Sequence, residues 1–156
     1  MNNLLMKKRN PLKRLGLVVL LMFFLISCAA PLTPDQLRIQ RVTENYQQVL
    51  RERIATADEK IQVADKLLPI ISEYDDILVN RRYVSYSAAD AIRELKSDAT
   101  ELAAALYFEA AQQYKQAGQK EKAKQVYKDI IRIFIGSAYS GYRDRARMEI
   151  DDLRSE

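Results

Sequence analysis

No histidine occurs anywhere in the 156-residue sequence. That excludes a Ser–His or Cys–His catalytic pair and any His-ligated metal site. Tryptophan is absent too, and the only cysteine is Cys28. One cysteine has nothing to pair with in its own chain, so stability must come from packing rather than from a disulfide. Glycine and proline are scarce, at four each, while Ala, Gln, Lys, Glu and Leu abound. That composition favours helix and points to an all-α chain. No glycine-rich phosphate loop or nucleophile elbow is present. Glu73, Asp75 and Asp76 lack the spacing and glycine of a calcium loop, and neighbours on a helix point apart. The expectation is therefore a non-enzyme with no catalytic residue, no metal and no cofactor.

The charge is deceptive. Lys and Arg number 25 against 21 Asp and Glu, for a net charge of +4. Residues 1–27 hold five of those cations and no acid, so the remainder has 20 basic and 21 acidic residues, net −1. A near-neutral module gives no support to nucleic-acid binding. Nothing in the sequence implies a small-molecule substrate.

The amino-terminal segment reads as an export signal. A basic stretch, Met6–Arg14, precedes an apolar stretch, Leu15–Ser27, and small residues follow. The uncharged run Leu15–Leu32 has 18 residues, at the short edge of a bilayer span of about 20. Length alone leaves a cleaved signal and an uncleaved anchor both open. Leu25-Ile26-Ser27-Cys28 resembles the lipobox of bacterial lipoproteins. The resemblance implies a diacylglyceryl group on Cys28, cleavage between Ser27 and Cys28, and acylation of the new amino group. One acyl chain holds a protein weakly, so stable anchoring needs two or more. Residues 1–27 would then be a signal peptide and 28–33 a lipidated tether. Ala29 and Ala30, rather than Asp, follow the cysteine. For a Gram-negative lipoprotein this implies the outer membrane, facing the periplasm.

Residues 34–156 are expected to form one helical domain of antiparallel hairpins. Thr33-Pro34-Asp35-Gln36 is a helix start with a capping-box pattern. Thr56-Ala57-Asp58-Glu59 repeats that pattern and either starts a second helix or lies inside a longer one. Apolar residues three and four apart continue to Leu78, with a kink or break expected at Pro69. Val79–Ser87 reads as a connector. A helix restarts at Ser87-Ala88-Ala89-Asp90, with a candidate break near Ser97, and runs to Ala117, where Gly118 supplies the left-handed position that ends it. Further helices cover Lys120 to about Ile135 and Ala138 to Leu153.

Within the carboxyl half, Tyr107, Ala111, Tyr114, Gly118, Ala123 and Tyr127 have the spacing of one tetratricopeptide repeat. Ile130 and Ile135 depart from that pattern. Ala123, Tyr127, Phe134, Ser137, Tyr139, Ala146, Ile150 and Leu153 resemble the helical repeats of envelope assembly lipoproteins. There Ile135 and Gly136 stand in place of the usual proline and its neighbour. The resemblance covers about a third of the chain. It implies a tetratricopeptide-like hairpin that binds segments of other proteins. A plain hairpin with an Ala/Tyr core fits the same residues.

All nine tyrosines lie beyond Cys28. Tyr107, Tyr114 and Tyr127 fall where a hairpin packs. Tyr83, Tyr86, Tyr139 and Tyr142 fall in or beside turns, and with Arg81 and Arg82 they are the candidate partner-binding residues. Arg143, Arg145 and Arg147 are expected to pair locally with Glu149, Asp151 and Asp152. The expected function is a membrane-anchored periplasmic scaffold that docks an envelope protein. A self-associating structural lipoprotein and an accessory subunit of an envelope enzyme remain open.

Overall fold

The computed structural model describes residues 32–80 and 85–155. It is all-helical, and no strand occurs among the described residues. The helices are α1 (Pro34–Val49), α2 (Ala57–Val79), α3 (Tyr86–Gln116), α4 (Lys120–Ile133) and α5 (Ser140–Ser155). A short 3-10 turn, Ser137–Tyr139, precedes α5. The chain divides into two compact units, residues 1–38 and 39–156. The second unit contains α1 from Ile39 onward and all of α2 to α5.

Both capping boxes form. Thr33 Oγ1 accepts from the Gln36 N–H at 3.3 Å, and Gln36 Oε1 accepts from the Thr33 N–H at 2.9 Å. Thr56 Oγ1 accepts from the Glu59 N–H at 3.2 Å, while Glu59 Oε2 accepts from the N–H groups of Thr56 (2.9 Å) and Ala55 (2.8 Å). These backbone donors hold the Glu59 carboxyl below its ordinary pKa. So Thr56 starts a new helix, and α1 and α2 are separate. Thr56→Ala leaves donors of the first turn of α2 without an acceptor. It should cost about 1 kcal/mol, read as a lower urea midpoint.

Pro69 does not interrupt α2, which runs on for ten residues to Val79. Proline removes the donor that would serve the Asp65 carbonyl. Asp65 and Pro69 are both exposed, so water can take that role. Nor does α3 break at Ser97. It is one helix of 31 residues, about 46 Å long. It begins earlier than the Ser87 pattern suggests, because Ser85 is the cap and its Oγ accepts from the Ala88 N–H at 3.3 Å. At the other end Gly118 adopts φ +72°. The Gln119 N–H then reaches the Tyr114 carbonyl at 2.9 Å and the Gly118 N–H reaches that of Lys115 at 3.0 Å, a Schellman closure.

Helix α2 packs on α3, α3 on α4 and α4 on α5, and α5 also touches α3. Side-chain pairs fix the α2–α3 register. The Tyr114 hydroxyl donates to Asp58, the Tyr107 hydroxyl donates to Asp65, and Lys96 pairs with Asp75. Numbers rise along α2 as they fall along α3, so the two helices are antiparallel. One buried cluster joins Val42, Tyr46 and Val49 of α1 to Leu67 and Tyr74 of α2, Ile92 and Tyr107 of α3, Tyr127 and Ile130 of α4, and Ile150 of α5. Tyr74 lies near Thr43 of α1, but its buried hydroxyl makes no hydrogen bond of normal geometry. The three tyrosines expected in the hairpin core are all buried there.

Packing also shifts the tyrosine hydroxyls. Hydrogen bonding to Asp58 and burial push Tyr114 up to about 12, and burial pushes Tyr127 up to about 12. Burial raises Tyr107 further, with help from Asp65. An unfolded tyrosine ionises near 10, so above that pH the unfolded chain loses protons that the folded chain keeps. Stability should therefore hold up to about pH 10 and fall between about 10 and 12. Urea midpoints measured across that window should decline. A flat profile would contradict the folded-state shifts.

Candidate docking site

The turn between α4 and α5 is organised by Phe134. Its N–H caps α4 on the Ile130 carbonyl at 3.1 Å. Its buried ring meets Tyr107 edge-on at 6.0 Å and Tyr139 at 6.1 Å. The Arg143 guanidinium, one turn into α5, donates to the carbonyls of Phe134 (2.7 Å) and Gly136 (2.6 Å). A cation thus satisfies acceptors that the end of α4 leaves open. Together these contacts hold Tyr139 in place.

Because α4 has 14 residues and α3 has 31, the first half of α3 extends beyond α4. An open cleft of about 580 Å³ lies there. Asp75, Leu78 and Val79 of α2 line it, with Arg93, Lys96 and Ser97 of α3, and Tyr139 on the turn. Lys96 pairs with Asp75, and Arg93 pairs with Asp90 one turn back. The lining therefore mixes two cations, one carboxylate, two aliphatic side chains, a serine hydroxyl and a phenol. Such a lining suits a peptide segment with an acidic and an apolar side chain. Among the described residues, no group of three or more His, Cys, Asp or Glu is placed to hold a metal.

No protein family, curated protein or solved structure matches the chain. The likenesses to lipoproteins and helical repeats thus rest on the motif residues themselves.

The structure separates the expected site residues. Ser27, Cys28, Arg81, Arg82 and Tyr83 lie outside the described residues. Tyr86 opens α3 and is exposed. Tyr139 lines the cleft. Tyr142 is half-buried with its ring 6.4 Å from Phe108, and burial raises its hydroxyl pKa. Of the described three, only Tyr139 lines this cleft. Leu78, Val79, Arg93 and Lys96 do not stand out in the sequence. Their meeting depends on the α2–α3 register, for which the paired spacings of Asp58 and Asp65 with Tyr107 and Tyr114 are the available signal.

The acidic and basic residues of α5 do not pair as the sequence suggests. Glu149 reaches back to Lys115 of α3 at 2.8 Å, and Asp152 pairs with the same ammonium. Arg147 instead meets Asp144 at 2.8 Å, and Arg145 lies over the Phe108 ring at 4.2 Å. Tertiary partners win because α5 packs on both α4 and α3. Arg143→Ala should cost about 1 kcal/mol, since it leaves two carbonyls without their charged donor. The same variant should loosen the turn, reducing capture by a photo-reactive residue at Tyr139. An unchanged urea midpoint would show that the guanidinium contributes little.

Proposed function

We propose that this chain is a lipid-anchored periplasmic lipoprotein, non-catalytic, that docks a segment of another envelope protein. The observation that carries the docking reading is the cleft in which Tyr139 meets Val79, Arg93 and Lys96. The Leu25–Cys28 motif supports the anchor. Its resemblance to the lipobox implies a mature chain that starts at Cys28, and Ala29 and Ala30 in place of Asp favour the outer membrane of a Gram-negative cell. The Ala/Tyr hairpin supports kinship with tetratricopeptide-like scaffolds.

Two measurements test the two halves separately. Intact mass of the membrane-extracted chain should show loss of residues 1–27 and acyl mass on Cys28. A chain that retains Met1 or Met6 and lacks acyl mass would defeat the anchor. A photo-reactive residue at position 139 should capture one envelope protein in cells, and Arg93→Glu should abolish the capture. Capture of a second copy of this chain would instead favour the self-associating lipoprotein.

A further inference from the structure

We propose that this chain pairs with a second copy of itself, the outer stripe of α4 in one copy lying on the uncovered half of α3 in the other. The contact uses neither Tyr139 nor Cys28, so it stands or falls apart from both halves of the proposed function.

Helix α3 is covered by α4 and α5 along only half its length. Lys122 of α4 lies over the Tyr114 ring at 5.1 Å, Tyr127 meets Phe108 at 5.5 Å, and Phe134 meets Tyr107 at 6.0 Å. On α5, Arg145 lies over Phe108 and Glu149 holds Lys115. Both helices therefore seat on α3 from Tyr107 onward. Residues 86–103 keep α2 on one side, through the Lys96–Asp75 pair, and run on for about 27 Å. At 14 residues α4 is about 21 Å long, so a helix of its size fits that stretch.

The covered and uncovered halves share one stripe. Glu94, Glu101, Phe108 and Lys115 follow one another at heptad spacing, which holds them near one line with a drift of about 20° per step. Phe108 and Lys115 use that line to hold α5, whereas Glu94 and Glu101 are exposed on it. The cations of this half are committed elsewhere, Arg93 to Asp90 and Lys96 to Asp75. Glu94 and Glu101 pair with no cation among the described residues.

The complementary charge sits on the same chain. Helix α4 carries five cations and two carboxylates. On its outer stripe Lys128 is exposed, with no carboxylate partner among the described residues, and the Arg132 side chain is 77 % exposed beside Asp129. The exposed Ile135 follows them at the end of the helix and gives the stripe an apolar edge. Met148, exposed as well, belongs to α5 and lies outside this stripe; a single exposed apolar residue needs no partner. The acidic and basic stripes cannot meet within one copy, because α4 is seated on the other half of α3. Between copies they can, and every copy presents both, so a twofold axis forms the contact twice. Exposed ion pairs are individually weak. The stripes therefore set the orientation and salt dependence of the pair more than its strength.

The test uses the full chain in phosphatidylcholine vesicles, with a donor or acceptor dye on a non-natural residue at position 155. Parent chains should transfer energy above the level of random mixing. That excess should be lost when salt rises from about 0.1 M to about 1 M, which shortens the screening length from about 10 Å to about 3 Å. Glu94→Lys with Glu101→Lys should lose the excess, and so should Lys128→Glu with Arg132→Glu. A donor chain of the first kind mixed with an acceptor chain of the second should regain it. Parent chains at the random level, reversed chains that keep the excess, or a mixture that does not regain it would each overturn the pairing. Urea midpoints check that the variants fold. Should a reversed chain unfold, Glu94→Gln with Glu101→Gln takes its place, and an undiminished excess in that chain overturns the pairing.

Discussion

Tyr127→Ala should destabilise the module by about 3–5 kcal/mol, whereas Tyr127→Phe should cost nothing or stabilise it slightly. Tyr127 has no exposed surface, and its ring meets Phe108 at 5.5 Å with the planes tilted by 62°. Removing the ring opens a cavity between α3 and α4 that neither helix can close without losing other contacts. The hydroxyl is a different matter, because it is buried and makes no hydrogen bond within the protein. An unsatisfied polar group already carries its desolvation cost, so deleting it returns that cost. Tyr107 provides the contrast, since its hydroxyl donates to Asp65. Tyr107→Phe should lose about 1 kcal/mol. Urea unfolding of the three variants checks the order. A loss above about 1 kcal/mol for Tyr127→Phe would mean that its hydroxyl has a partner in solution.

That contrast marks how far the sequence was legible. The spacing of Tyr107, Tyr114 and Tyr127 identified core rings, because helical periodicity is local and repeats every few residues. It could not separate a hydroxyl with a partner from one without, since the partners Asp58 and Asp65 sit about 40 or more residues earlier. The capping boxes at Thr33 and Thr56 were legible for the same local reason. Their hydrogen bonds close over three residues, and both formed. No break forms at Pro69 or Ser97, because local propensity is overruled when a long helix buries a continuous stripe. For α2 that stripe runs from Val63 to Ile77, and for α3 from Ala89 to Tyr114.

The cleft was hidden for a geometric reason. Asp75 and Lys96 are partners only because the antiparallel register of α2 and α3 brings them together. Tyr139 joins them only because α4 is short and Phe134 folds the turn back. Arg143 was equally opaque. Its partners are main-chain carbonyls, and no sequence pattern distinguishes them from any others. Charge order on α5 suggested neighbours as partners, but Glu149 and Asp152 were drawn to Lys115 by packing. Both contacts raise the Lys115 pKa, Asp152 more than Glu149.

Ala111→Leu should cost about 1–3 kcal/mol, although leucine is an excellent helix former. Ala104, Ala111 and Ala123 have no exposed surface and belong to the same buried cluster as Tyr107, Tyr114 and Tyr127. Large rings fill the space between α3 and α4 only if small residues let the backbones approach. A leucine at position 111 must displace either a ring or a helix, because an interior packed to this density has no room for three more carbons. The cost would be tertiary and not helical. Glu94→Leu, at an exposed position of the same helix, should stay within about 0.5 kcal/mol of the parent. Helix content by circular dichroism should be unchanged in both, while only the Ala111 variant lowers the urea midpoint. If Ala111→Leu left the midpoint unchanged, the α3–α4 contact would be looser than its buried alanines indicate. The small-and-large pattern would then be a property of helix composition and not of a close-packed hairpin.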